Sequence, residues 1–188
     1  WAEELHKDGL DAIIVNTSGC GTTIKDYVNL LKDDPAYADL AKEISALAKD
    51  VTEFLYDANL LTPLSKKQVT IGYHAACSLQ HGQKITSAPK ALLQNAGFDV
   101  VTAKESHLCC GSAGVYNVLQ PEMAQQLQER KINHLNNLSA DVIVAGNLGC
   151  INQLADVEAP IMHTIELLDW AYGGKTPDQL PKTVTNSR

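Results

Sequence analysis

The chain has 188 residues, 45% hydrophobic and 20% charged, an ordinary globular composition with enough apolar material for a real core. Its formal net charge of −7 disfavours nucleic acid and an anionic membrane surface as partners, because both select basic patches, and no basic run exceeds the two residues seen at Lys66-Lys67. No stretch approaches the roughly 18 consecutive apolar residues that span a bilayer, and the N-terminus lacks the pattern of a secretory signal, so a cytoplasmic protein is expected.

Trp1 to Lys7 has helical character, and Gly9 stops it before Asp11 to Val15, which reads as a buried parallel strand. Asn16 to Gly21 forms a turn, after which Thr22-Thr23 is expected to cap a helix through Leu31. Asp34 caps a longer helix with Pro35 at its first position, and Leu40, Ile44, Leu47, Val51, Phe54 and Leu55 give it one apolar stripe for the core. A loop at Thr62-Pro63 leads to a strand from Gln68 to His74, which ends at Ala75-Ala76-Cys77. A helix from about Ser87 to Gly97 and a strand from Phe98 to Thr102 follow. Pro121 opens a helix to about Leu138, and the strand Asp141 to Ala145 delivers Gly149-Cys150. Ile161 to His163 makes a short last strand, Ile165 to Tyr172 a helix, and Gly173-Gly174 leads into a polar, frayed tail. Strands alternating with helices predict an α/β fold with a largely parallel sheet and flanking helices. In such sheets ligands gather at the carboxyl ends of the strands.

The cysteines carry the chemistry. Cys109 and Cys110 stand side by side in His107-Leu-Cys-Cys-Gly-Ser-Ala-Gly114, and neighbours strain a disulfide. Gly111 and Gly114 allow the backbone a positive φ, a close approach to a bulky centre and N–H groups aimed at its sulfurs. Cys77 and Cys150 each follow an apolar run, so four thiols are expected at strand ends around one site. Five cysteines, two of them adjacent, do not make a secreted disulfide framework; they point to metal binding or redox work in a reducing compartment. Cys20 finds a place through an internal repeat. Asp11-Ala-Ile-Ile-Val-Asn-Thr-Ser-Gly-Cys20 lies over Asp141-Val-Ile-Val-Ala-Gly-Asn-Leu-Gly-Cys150 without a gap, which pairs Cys20 with Cys150.

A Cys, a Cys-Cys-Gly and a Cys at these long spacings resemble the cysteine-rich CCG domain family, which includes heterodisulfide reductase B subunits, lactate-utilisation proteins and glycolate oxidase iron–sulfur subunits. Ser18-Gly-Cys20-Gly, Lys25-Asp26-Tyr27, Ser78-Leu-Gln-His81 with Gln83-Lys84, and Ser106 to Gly114 read like the C-terminal part of the last group. The resemblance runs roughly from Trp1 to Tyr172. It implies a pseudo-repeat of Rossmann-like CCG halves: residues 1–64 as the C-terminal half of a first domain, 65–174 as a complete second one, and 175–188 as a polar tail. It also implies an electron-transfer subunit of a glycolate or 2-hydroxy-acid oxidase complex, cytoplasmic or peripheral to the inner membrane, which takes electrons from a flavoprotein partner that performs the substrate chemistry. Two features depart from the pattern: Cys150-Ile-Asn-Gln153 lacks a second cysteine, and His74-Ala-Ala-Cys77 lacks a preceding proline.

Cys77, Cys109, Cys110 and Cys150 supply the four soft, anionic ligands of an iron–sulfur cluster, a [4Fe–4S] centre of cubane or non-cubane type, with Cys20 as a further candidate. Gly111 is placed beside that cofactor, and His107 and His74 flank the ligands as candidate ligands, hydrogen-bond donors or proton carriers. Three other readings stay open. A set of four cysteines also suits tetrahedral zinc, His107 would activate Cys109 or Cys110 in a thiol-redox enzyme, and an exposed stripe from Leu40 to Leu55 would mark a docking module.

Overall fold

The computed structural model describes residues 1–59 and 69–181. The expected loop at Thr62-Pro63, the start of the second strand at Gln68 and the boundary at 64/65 lie outside the described residues, as does the end of the tail.

A first unit holds α1 (Ala2–Lys7), β1 (Ile13–Val15), α2 (Ser18–Lys25), α3 (Tyr27–Leu30), α4 (Ala38–Leu47), β2 (Ala48–Asp50) and α5 (Val51–Asp57). β1 and β2 pair in parallel, Ile13 opposite Ala48 and Val15 opposite Asp50. β1 is less buried than its apolar run predicts, for Ile14 is 43% exposed while Ile13 joins a small core with Ile24, Ile44 and Ala48. α2 starts at Ser18, four residues before the Thr22-Thr23 cap read from the sequence. Thr17 is extended and turns the chain directly out of β1. Thr22 and Thr23 then donate their hydroxyls back to the carbonyls of Ser18 and Gly19, inside the helix.

The single long helix over the Leu40 to Leu55 stripe is corrected to α4, β2 and α5. The break comes at Asp50, whose carboxylate accepts from the Thr52 N–H at 2.8 Å while Glu53 accepts from the Asp50 N–H at 3.3 Å, a reciprocal cap that starts a new helix. The stripe divides accordingly: Ile44, with Leu40 and Leu47 against it, serves the small core, Leu55 packs on the main one, and Phe54 is exposed.

The second unit is a four-stranded parallel sheet in the order β4-β3-β5-β6, built from β3 (Thr70–His74), β4 (Asp99–Thr102), β5 (Val142–Ala145) and β6 (Ile161–His163). β5 is central and buried on both faces, as a run of Val-Ile-Val-Ala requires. Its residues alternate between two cores. Val142 and Val144 pack with Ile71, Tyr73, Leu93, Phe98 and Trp170 under α6 (Ala88–Asn95) and α10 (Thr164–Ala171). Ile143 and Ala145 pack with Leu79, Leu135, Cys110 and Cys150 under α8 (Pro121–Asn136) and α9 (Leu148–Gln153). A π-helical turn, Ser78–Gly82, follows β3, and the short α7 (Tyr116–Leu119) precedes α8. The α/β class and the parallel sheet are as expected.

Candidate functional site

Three strand ends deliver the site. β3 closes on His74 and runs to Cys77 at the start of the π-helical turn. β4 leads into the loop with Cys109 and Cys110, and β5 leads through Asn147, the N-cap of α9, to Cys150. The Sγ atoms of Cys77 and Cys109 are 3.7 Å apart, and those of Cys110 and Cys150 are 3.2 Å apart. Cys110 and Cys150 are buried, Cys77 and Cys109 partly so.

The loop that carries the pair is shaped by Gly111 and Gly114, at φ of 98° and 67°. Gly111 is required twice over, because a Cβ there would also run into the Ala124 carbonyl of α8. The resulting turn aims the Gly111 N–H at the Cys109 sulfur, at 3.4 Å. Asn147 donates its amide to Cys150 at 3.4 Å.

The neighbouring Cys110 and Cys77 thiols hold the Cys109 thiol well below its usual range despite burial, with the Gly111 N–H adding to them. Cys150 is lowered to about 5 by the Cys110 thiol, with His74 and Asn147 adding to it. Cys77 is pushed up by the Cys109 sulfur beside it and by burial, and Cys110 by the Cys109 and Cys150 sulfurs and by burial.

Of the two histidines that flank the cysteines, His74 faces the site. It is 2% exposed, its Nε2 has no hydrogen-bond partner, and its ring lies with the Cys110 and Cys150 sulfurs in a group whose ligand atoms all fall within 4.8 Å. His107 is exposed, and its backbone carbonyl accepts from His81 Nε2 at 3.0 Å. Cys20 is exposed on the first turn of α2 and lines the same cavity of about 610 Å³ as Cys77, Cys110 and Cys150. α2 is tied there by Ser18 N–H to the Gly146 carbonyl at 3.0 Å, by Ser18 to Ser78 at 2.7 Å between hydroxyls, and by Gln83 to the Ser18 carbonyl at 2.9 Å.

Sequence reading missed the groups that hold the loop from outside. Glu105 pairs with Arg130 and His134 on α8, and the buried Lys131 donates to the Glu105 carbonyl at 2.8 Å. Only the unusual placement of Lys131 among the apolar positions Ala124 and Leu135 of α8 could have flagged it.

Residues 71–155 match the family model described as "Cysteine-rich domain", CCG. The chain is 37% identical over 164 residues to the glycolate oxidase iron–sulfur subunit of Escherichia coli (strain K12), covering 87% of this chain and 40% of that protein. It is 30% identical to the probable glycolate oxidase iron–sulfur subunit of Bacillus subtilis (strain 168), with 89% and 40% covered. Lactate utilization protein A of Geobacillus kaustophilus (strain HTA426) is 26% identical, with 85% of this chain and 70% of that protein covered. The chain thus spans about two fifths of the length of the two glycolate oxidase relatives it matches. The segment that matches the cysteine-rich CCG domain model, 71–155, holds Cys77, Cys109-Cys110-Gly111 and Cys150, the four cysteines of the site.

Proposed function

We propose that the chain is the C-terminal part of an electron-transfer subunit in a glycolate or related 2-hydroxy-acid oxidase complex, with Cys77, Cys109, Cys110 and Cys150 holding one iron–sulfur cluster. The observation that carries this reading is the convergence of four thiols from three strand ends, in two pairs at 3.7 and 3.2 Å, with the Gly111 N–H aimed at the Cys109 sulfur. The donor set fits such a group. It offers four soft sulfurs, a buried imidazole with an unpartnered Nε2, and a cradle at Gly111 that a side chain would fill. When bound, the cluster supplies a one-electron redox couple at the protein surface.

The chain's own residues do the rest. On metal binding the cysteines would give up their protons, the Gly111 N–H would stabilise negative sulfur at Cys109, and burial of Cys110 and Cys150 would exclude water. Substrate oxidation belongs to a flavoprotein partner, since neither a phosphate-binding glycine loop nor a flavin fingerprint occurs in the sequence. In this reading residues 1–64 are the second half of a preceding CCG domain and 65–174 a complete one.

A second reading is a structural zinc site. Sulfurs about 3.8 Å apart form the edge of a tetrahedral four-sulfur zinc site with Zn–S near 2.3 Å, and 3.7 Å between Cys77 and Cys109 is close to that edge. Anaerobic reconstitution with iron and sulfide, followed by the visible spectrum, separates the two. The thiolate-to-iron band is expected in the wild type and in Cys20→Ser, and is expected to be lost in Cys77→Ser, Cys109→Ser, Cys110→Ser and Cys150→Ser. A wild type without the band that keeps zinc through reconstitution contradicts the electron-transfer reading.

A further inference from the structure

His74 is the one buried histidine of the chain's six, 2% exposed at the carboxyl end of β3 and paired with Ala145 of β5. His81, His134 and His163 each engage a protein partner through Nε2, and His6 and His107 are exposed. The His74 Nε2 is shut off from solvent and has no hydrogen-bond partner. Leaving a buried polar atom unpaired is costly, so such an atom in a folded protein calls for a bound group that satisfies it. What lies beside this ring is sulfur. The ligand atoms of His74, Cys110 and Cys150 all fall within 4.8 Å of one another, all three residues are buried, and the two sulfurs are 3.2 Å apart. Around one tetrahedral ion, with metal–nitrogen near 2.0 Å and metal–sulfur near 2.3 Å, neighbouring ligand atoms stand about 3.5 to 3.8 Å apart. Shifts of about 1 Å therefore bring all three atoms onto a single ion.

We propose that His74 is a fifth protein ligand of the site, its imidazole binding the same metal ion as Cys110 and Cys150. This role rests on the cysteine site being a metal centre, as read above, and deepens it: one metal position carries nitrogen as well as sulfur. Imidazole suits iron and zinc alike, so the role holds for either metal. His74 also differs from the cysteines in where it stands. It is the last residue of β3, fixed by the parallel pairing with β5, whereas the four cysteines lie beyond the strand ends. A ligand on a strand keeps its place before the metal arrives, and the cysteines close around it.

Cadmium-113 is the probe, bound to the chain with nitrogen-15 in its histidine rings and read by nuclear magnetic resonance. The cadmium signal of the wild type is expected to be split by one ring nitrogen. That splitting is expected to persist in His81→Gln and His107→Gln and to be lost in His74→Gln, whose thiolates still hold cadmium. Should His74→Gln fail to fold, single glutamine variants of the other histidines make the same assignment by elimination. Cadmium bound without nitrogen coupling, or coupling that survives in His74→Gln, overturns the His74 ligand while the metal centre stands. If cadmium couples to His74 but anaerobic reconstitution gives no thiolate-to-iron band, the iron–sulfur reading fails and the His74 ligand stands. A wild type that binds neither cadmium nor iron overturns both.

Discussion

Glu105 holds the approach to the cysteine pair by a strained backbone and an exposed charge network. Its φ is 52°, a conformation unfavourable for a residue with a Cβ, and it is kept there by Arg130, His134 and Lys131 reaching from α8. The Arg130 guanidinium, with His134 beside it, holds the Glu105 carboxyl down to about 2 from its usual 4.5. A depressed carboxylate contributes stability above its unfolded pKa and loses it as pH falls through the folded one. Glu105→Gln is therefore expected to lower the thermal midpoint of the metal-free chain at neutral pH. That difference should shrink between about pH 4.5 and pH 2, and high salt should also weaken it. Thermal unfolding of both proteins across that range checks it. The glycines and cysteines of the loop were legible in the sequence because their chemistry is local. Glu105 was not, since its partners lie 25 to 29 positions away on a helix whose period says nothing about what it faces.

Among the elements, β2 shows where pattern reading stops. Leu40 to Leu55 has helical spacing throughout, and a strand of three residues cannot outweigh it in a period count. The signal that was present is Asp50-x-x-Glu53, the capping box that starts α5. Asp50→Ala leaves the buried Thr52 without its carboxylate partner and is expected to destabilise the chain by about 0.5–2 kcal/mol, whereas Asp50→Asn keeps a cap and most of the stability. Chemical denaturation of the two variants measures it. The same device recurs at the end of β6, where His163 accepts from the Ile165 N–H and Glu166 accepts from the His163 N–H. Histidine is no usual cap, so α10 was placed from its apolar run instead. Six residues give too little period to set the bounds of α9 from the sequence, although Gly149-Cys150 is placed beyond β5 as expected.

At the scale of the molecule, the ungapped match of Asp11–Cys20 with Asp141–Cys150 extends into three dimensions. β1 and β5 each lead through an extended N-cap, Thr17 or Asn147, to a cysteine at the third position of the next helix. Each pairs in parallel with a strand that ends in a capping box, β2 with Asp50 and β6 with His163. The two copies meet across the cavity. Gly19 donates to the Asn147 side chain at 3.4 Å, and His163 Nε2 donates to the Asn16 carbonyl at 2.6 Å. The repeat was legible because a strand, a turn and a cysteine keep their order, whereas the seam was not, since it joins residues 128 and 147 positions apart. The central claim is that four thiols of the second unit hold one iron–sulfur cluster. Iron, sulfide and zinc counted per chain after anaerobic reconstitution test it most directly: the account predicts about four irons and four sulfides with little zinc, falling in Cys109→Ser, and about one zinc per chain with no iron would contradict it.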